Sequence, residues 1–222
     1  MSPDHIYIHS DVWEQFTEIL KEVFAKQQSG HSRPQLISEK HFQRQLKMKA
    51  ESEAAGDQII SSGPSLGPRD LAPTMIEVTN KNPLMELLQS EIFGPLLPLI
   101  KYIDPEAVAS HVRAQGRPLA LYIFSTQKCE IQSWLELIPS GGVGINQTLL
   151  HVGNHHLPFG GNGSSGIGRY HGWFSFIEFS HQRGILQLRW IFPIFRLFYP
   201  PYSKISQKWV SRLIRLMSKL RI

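Results

Sequence analysis

Leu96-Leu-Pro-Leu-Ile-Lys-Tyr-Ile103, Leu119-Ala-Leu-Tyr-Ile-Phe124 and Gly141-Gly-Val-Gly-Ile-Asn146 are three apolar runs of strand length, and what separates them decides the fold. After the first run, Asp104-Pro105 is a helix N-cap with proline at the first helical position, and that helix stops at Gly116. After the second, Ser125 or Thr126 caps a helix carrying Ile131, Trp134, Leu135 and Ile138, and Pro139 stops it. Strand, helix, strand, helix, strand with short connections predicts an α/β fold: an open, mostly parallel sheet with right-handed crossovers and flanking helices. Residues 119–124 are apolar throughout, as a strand covered on both faces should be. Ligands of such sheets gather at the carboxyl ends of strands; Asn146 falls at one such end, and the Gly-rich segment after it is expected at the same edge.

Towards the N-terminus the elements are less regular. A short strand is expected over residues 74–79, after Pro73, and residues 61–68 read as loop from their Ser, Gly and Pro content. A helix is predicted from Ser38 to about Ala55, with Phe42 and Leu46 inward and Gly56 as its stop. The first helix starts at Ser10 or Asp11, with Asp11 and Glu14 at capping-box spacing, and its inward face is read as Val12, Phe16, Ile19, Leu20 and Val23.

Towards the C-terminus the composition changes. The 222 residues carry a net charge of +5, but every acidic residue lies at or before Glu178. Up to there, fourteen Lys and Arg face eighteen acids, a net of −4; residues 180–222 hold nine Lys and Arg and no acid, a net of +9. This divides the chain at about residue 183 into an acidic body and a basic, aromatic tail (184–222). Residues 204–222 form an amphipathic helix pattern, with Ile205, Trp209, Leu213, Leu216 and Leu220 in one stripe and Lys204, Lys208, Arg212, Arg215 and Lys219 in the next. Such a face suits an anionic membrane surface, with Trp190, Phe192, Phe195, Phe198 and Tyr199 at the same interface; the competing reading is a groove on a partner subunit. No recognition motif for nucleic acid accompanies the cations. The longest uncharged apolar run in the tail has six residues, Trp190-Ile-Phe-Pro-Ile-Phe195, against the roughly 20 that cross a bilayer. Residues 1–5 have neither the basic nor the apolar region of a secretory signal, so a cytoplasmic location is expected, with peripheral contact at the cytoplasmic membrane face.

Several motifs invite chemistry and are better read blandly. Gly161-Asn-Gly163-Ser-Ser-Gly166 spells the dinucleotide fingerprint, but no strand precedes it and Arg169-Tyr-His-Gly172 resists a helix after it; its glycines are expected to let backbone pack tightly. His151, His155 and His156 cluster, with His171 and His181 further on, but Gly153 and Asn154 break any helix that would align them as ligands, and no metal is expected. Cys129 is the single cysteine, which excludes a disulfide framework; it starts a helix, but no base lies near it in sequence. Glu91 on its own is a solvated turn residue.

Five motifs in one order carry a resemblance: Glu91-Ile-Phe-Gly-Pro95; Pro118-Leu-Ala-Leu-Tyr122; Ser140-Gly-Gly-Val143 with Asn146; Leu157-Pro-Phe-Gly-Gly161; and Ser165-Gly-Ile-Gly168 with Tyr170-His-Gly172. Together, over about residues 1–183, they resemble the catalytic domain of the NAD(P)-dependent aldehyde dehydrogenase superfamily. Tyr170-His-Gly172 followed by Ser175-Phe176 is similar to the fatty-aldehyde and coniferyl-aldehyde branch, and Leu149-Leu-His151 and Pro200-Pro-Tyr202 lean toward its coniferyl-type bacterial members.

The resemblance implies oxidation of a hydrophobic, long-chain or aromatic aldehyde to its acid, with NAD or NADP as cofactor and a homodimer in the full-length family. It implies that Glu91 hydrogen-bonds the nicotinamide ribose and that Phe93 packs by the nicotinamide ring. It places Leu157, Phe159, Gly160 and Gly161 at the substrate tunnel and active-site wall, with Asn146 ordering that region. It also implies that the nucleophilic cysteine stands three residues before Pro3, one position upstream of Met1, and that the cofactor loop, general base and oxyanion asparagine lie further upstream. Cys129 matches none of these positions, so no catalytic residue is expected within the chain and the chain alone is expected to be inactive. Relatives run Met-x-Glu-Glu into Ile-Phe-Gly-Pro, whereas Met85-Glu-Leu-Leu-Gln-Ser-Glu91 is about three residues longer, with helix-like filler that could displace Glu91. The alternative reading is a truncated, non-catalytic remnant that binds at most a membrane surface or a subunit.

Overall fold

The computed structural model describes residues 2–26, 35–65, 67–79, 86–187 and 199–218. They form two compact units, Met1–Ser180 and His181–Ile222. In the first, chain order is β1 (Ile6–His9), α1 (Trp13–Lys26), α2 (Glu39–Ala54), β2 (Gln58–Ser61), β3 (Thr74–Val78), α3 (Glu86–Gln89), β4 (Leu96–Tyr102), α4 (Pro105–Gln115), β5 (Ala120–Ile123), α5 (Lys128–Leu137), β6 (Gly142–Ile145), α6 (Leu150–Gly153) and α7 (Gly172–Glu178).

The larger sheet has the order β1-β4-β3-β2. β4 lies parallel to β1, with Ile6 opposite Leu99, and parallel to β3, with Thr74 opposite Leu96; β2 closes the other edge antiparallel to β3. Side chains alternate across it. One face buries Ile76, Leu96 and Ile100 with Met48 of α2 and Leu87 and Leu88 of α3. The other buries Ile8, Met75 and Leu99 with Trp13 of α1.

The α/β class and the mostly parallel, helix-flanked sheet are as expected; the joining of the three apolar runs is not. β5 and β6 pair with each other, Ala120 opposite Gly142, in a separate parallel sheet. β1 and β3 occupy both edges of β4, so no ladder is left for β5 there. β5 is also only half-buried apart from Ile123, and Phe124 beyond it is 67% exposed, so this strand is not covered on both faces. α4 and α5 still follow the strand ends: Tyr102 meets Trp134 edge-on at 5.8 Å, and Arg113 Nη1 donates to the Leu137 carbonyl at 3.3 Å.

α1 turns a different face inward than its apolar count implies. Trp13 and Thr17 are buried, and Leu20 and Phe24 pack against the same cluster. Val12, Phe16, Ile19 and Val23, one residue earlier at each step, are exposed at 48, 37, 54 and 43%. Thr17 makes this possible: its hydroxyl donates to the Trp13 carbonyl at 2.9 Å, so a polar residue is satisfied within its own helix and adds no buried orphan. In α2, Phe42 and Leu46 do pack on the core, but the fully buried line is Gln45, Met48 and Ser52.

In the second unit, Ser203 Oγ accepts the Ser206 N–H at 3.1 Å and starts α8 (Lys204–Met217). Trp190, Phe192, Phe195, Phe198, Lys219 and Leu220 lie outside the described residues. Among the described residues no helix is long and apolar enough to cross a membrane.

Candidate functional site

Residues 91–95 form a turn at the amino end of β4, and three other segments hold it. Arg44 of α2 reaches it with its whole guanidinium: Nη2 donates to the Glu91 carbonyl at 2.7 Å and to Ser90 Oγ at 2.8 Å, and Nη1 donates to the Ile92 carbonyl at 3.1 Å. Its Nε donates to Glu86 Oε1 at 2.8 Å. That hydrogen bond, ahead of the guanidinium charge, holds the Glu86 carboxyl below the ordinary glutamate range against the opposing effect of burial. One turn of α2 away, His41 Nε2 donates to the Phe93 carbonyl at 2.7 Å, and buried Gln45 donates to the Ile92 carbonyl. From the N-terminal side, Asp4 Oδ1 accepts the Ile92 N–H at 3.0 Å, and His5 Nε2 donates to the Leu87 carbonyl at 2.9 Å.

This scaffold fixes an unusual backbone. Phe93 has φ 54°, a conformation that costs a bulky residue about 1–3 kcal/mol and persists only where its surroundings enforce it. The outcome is a phenylalanine 69% exposed, two residues after exposed Glu91. Gly94 lets α2 approach this turn: a Cβ there would lie 2.4 Å from Gln45 Oε1, and the Gln45 side chain would have to shift. The extra length before the motif contains α3, a single helical turn whose Glu86 takes part in the clamp; Met85 lies outside the described residues. The sequence reading missed Arg44, Gln45 and His41. Their spacing puts them on one face of a helix, but their acceptors lie 47, 47 and 52 residues away.

The second candidate segment, Leu157-Pro-Phe-Gly-Gly161, is folded against Tyr170 and His171. Phe159 and Tyr170 exchange two backbone hydrogen bonds, 2.9 and 2.8 Å, and the Phe159 ring meets Tyr170 edge-on and stacks on His171 at 5.7 Å. The glycines let chain pass against chain. A Cβ on Gly160 would lie 2.1 Å from the Gly168 carbonyl oxygen, and one on Gly161 would lie 2.2 Å from the Ser165 carbonyl. Gly161-Asn-Gly163-Ser-Ser-Gly166 is therefore a tightly packed loop, as read, and not an open cradle. Arg117 anchors it, donating from its backbone to Ser164 Oγ and from Nη1 to Asn162 Oδ1, both at 2.8 Å. Leu157 is 45% exposed.

Asn146 is not at the same edge as this segment. It follows the carboxyl end of β6, where its Nδ2 donates to the Ser125 carbonyl at 2.8 Å and its Oδ1 accepts the Ser125 N–H at 2.9 Å. Gly160 and Gly161 instead pack on Gly141 at the amino end of β6, about 16 Å away along an extended chain. Its φ of 52° is one that asparagine tolerates, and its side chain ties the ends of β5 and β6 together. Among the described residues no hydrogen bond or ring contact joins residues 91–93 to Asn146 or to residues 157–161. His151 packs edge-on against Tyr122 at 5.7 Å, and burial of both ring nitrogens lowers its pKa below the usual histidine value. Cys129 is exposed on the first turn of α5.

The chain is 36% identical over 217 residues to a probable coniferyl aldehyde dehydrogenase of Pseudomonas aeruginosa, covering 96% of this chain and 45% of that protein. A protein of the same description from Caulobacter vibrioides is 35% identical over 188 residues, covering 81% of this chain and 38% of its own length. The solved structure of Staphylococcus aureus AldH in a substrate-bound state superposes with a TM-score of 0.72 at 27% identity, over 96% of this chain and 46% of that one. The chain thus spans less than half the length of these relatives. Residues 1–185 match the aldehyde dehydrogenase family, and the chain belongs to it.

Proposed function

We propose that this chain supplies part of the catalytic domain of an NAD(P)-dependent aldehyde dehydrogenase that oxidises a hydrophobic, long-chain or aromatic aldehyde to its acid, and that it does not turn over alone. The observation that carries this reading is the turn at residues 91–95. Four groups of α2 and α3 and the Asp4 carboxylate hold Phe93 in a strained conformation with its side chain exposed, two residues after exposed Glu91. An aromatic plane and a hydrogen-bond acceptor on one rigid turn suit a nicotinamide nucleotide, with Glu91 taking the ribose hydroxyls and Phe93 the side of the ring. The cofactor, when bound, accepts hydride from the substrate carbon.

The protein's own part is positional. Asp4 fastens residues 3–5 to this turn, so a nucleophile three residues before Pro3 would stand within about 10 Å of Pro3, in reach of the same turn. The segment containing Leu157, Phe159, Gly160 and Gly161 supplies a wall whose apolar side chains, Leu157 and Phe159, exclude water, and Asn146 ties the ends of β5 and β6 together at the far end of that strand pair. The coniferyl description of two relatives favours an aromatic aldehyde within the hydrophobic class.

The test joins this chain to the part of the Pseudomonas protein that it does not match. The 222-residue chain alone is expected to give no sustained NADH or NADPH production with coniferyl aldehyde, and the joined protein to give it. In the joined protein, Glu91→Gln is expected to raise the cofactor KM on the order of ten- to a hundredfold, the loss of one charged hydrogen bond of about 1.5–3 kcal/mol, with kcat less affected. A joined protein that folds and stays inactive would favour the non-catalytic remnant.

A further inference from the structure

Beyond the aldehyde site, we propose that α8 is a surface-lying lipid helix. In this reading Lys208, Arg212 and Arg215 bind anionic headgroups while Ile205, Trp209 and Leu216 enter the headgroup boundary. At 100° per residue, Lys204, Lys208, Arg212 and Arg215 fall within about 80° of arc, and Ile205, Leu216, Trp209 and Leu213 fill the next 80°. Beyond the apolar arc Ser206 is buried and Val210 half-buried, while Ile214, further round the helix, is 61% exposed. The helix thus presents cations beside large apolar groups, with Ile205 67%, Trp209 56% and Leu216 61% exposed.

Charge selects the occupant. Residues 180–222 contain no Asp or Glu, so nothing within the tail's sequence neutralises the four cations of the helix. An anionic polymer such as nucleic acid would satisfy the cations but leave Trp209 and its apolar neighbours against water. A membrane surface takes both, apolar groups at the acyl boundary and Lys/Arg heads at the phosphates. The Arg212 guanidinium sits 5.9 Å from the Trp209 ring centre, the arrangement in which an interfacial cation lies over an aromatic ring while its stem follows the apolar surface.

Co-sedimentation of the full chain with vesicles tests this. With phosphatidylcholine vesicles containing about one-third phosphatidylserine, the chain is expected to pellet, and with pure phosphatidylcholine to stay largely in solution. Replacing Lys208→Gln, Arg212→Gln and Arg215→Gln together should weaken binding on the order of a hundredfold, since each surface cation contributes several-fold. Arg212→Lys with Arg215→Lys should keep it, and Trp209→Ser should weaken it without altering the preference for anionic lipid. Equal binding to both vesicle types, pelleting without vesicles, an unaffected triple variant, or retention by a DNA duplex but not by vesicles would each overturn the proposal.

Discussion

Arg44 donates to four acceptors spread over residues 86–92, and with His41, Gln45 and Asp4 it holds the Phe93 turn in its strained form. Methionine there would keep the aliphatic stem and remove every donor. Arg44→Met is expected to lower unfolding stability by about 2–3 kcal/mol, read from a urea midpoint, and Arg44→Lys should recover only part of it because an ammonium cannot reproduce the fork. The same residue sets an acid response. Because Arg44 depresses the Glu86 pKa in the folded chain, the associated stability is present above the ordinary value of 4.5 and is lost as pH falls through the lower folded value. The Arg44→Met chain should therefore show a flatter loss of stability below pH 4.5 than the parent. A parent and a variant with the same acid slope would detach Glu86 from the clamp.

Elements whose signals are local were legible, and those decided by distant partners were not. Asp104 caps α4 with its own carboxylate accepting the Glu106 N–H at 3.0 Å, and Gly116 ends that helix at φ 112°, so both boundaries follow from neighbouring residues. Ser38 does the same for α2. β1 is four residues long with no turn signal, and only its pairing with β4, more than ninety residues on, makes it a strand. The inward face of α1 was misread because Thr17 interrupts the buried stripe, while the exposed stripe is apolar at every step. At this scale the edge strand also makes a prediction. Tyr7 of β1 packs against the core and meets His111 of α4 edge-on at 6.2 Å, and burial pushes its pKa up from 10 to about 12. Below pH 10 the phenol is neutral in folded and unfolded chains alike; as pH rises from 10 to about 12 the unfolded chain loses the proton first, so stability falls across that window. Tyr7→Phe should remove part of that fall, measured by far-UV dichroism against urea. Only part, because burial, and then the charge of Glu130, raise Tyr102 as well.

At the scale of the molecule, the chain covers 45% of its Pseudomonas relative, and its surface keeps apolar groups that a small domain ordinarily buries. Phe16, Ile19 and Val23 make a stripe along α1, continued by Val12 in the turn before it, and Phe93 and Phe124 are exposed elsewhere on the same unit. The buried stripe of α1 and the exposed one should answer substitution in opposite ways. Leu20→Ala removes packing from the cluster around Trp13 and Leu99 and is expected to cost about 2 kcal/mol. Ile19→Glu with Val23→Lys replaces exposed apolar groups by an i, i+4 pair in its favourable order, so the unfolding midpoint should move by less than about 0.5 kcal/mol. If the exposed stripe drives self-association of the isolated chain, the same pair should abolish the concentration dependence of its sedimentation coefficient, which Leu20→Ala would leave in place. A destabilised Ile19→Glu, Val23→Lys protein would mean that the stripe is packed against the chain itself, and the division of α1 into a buried and a free face would fail.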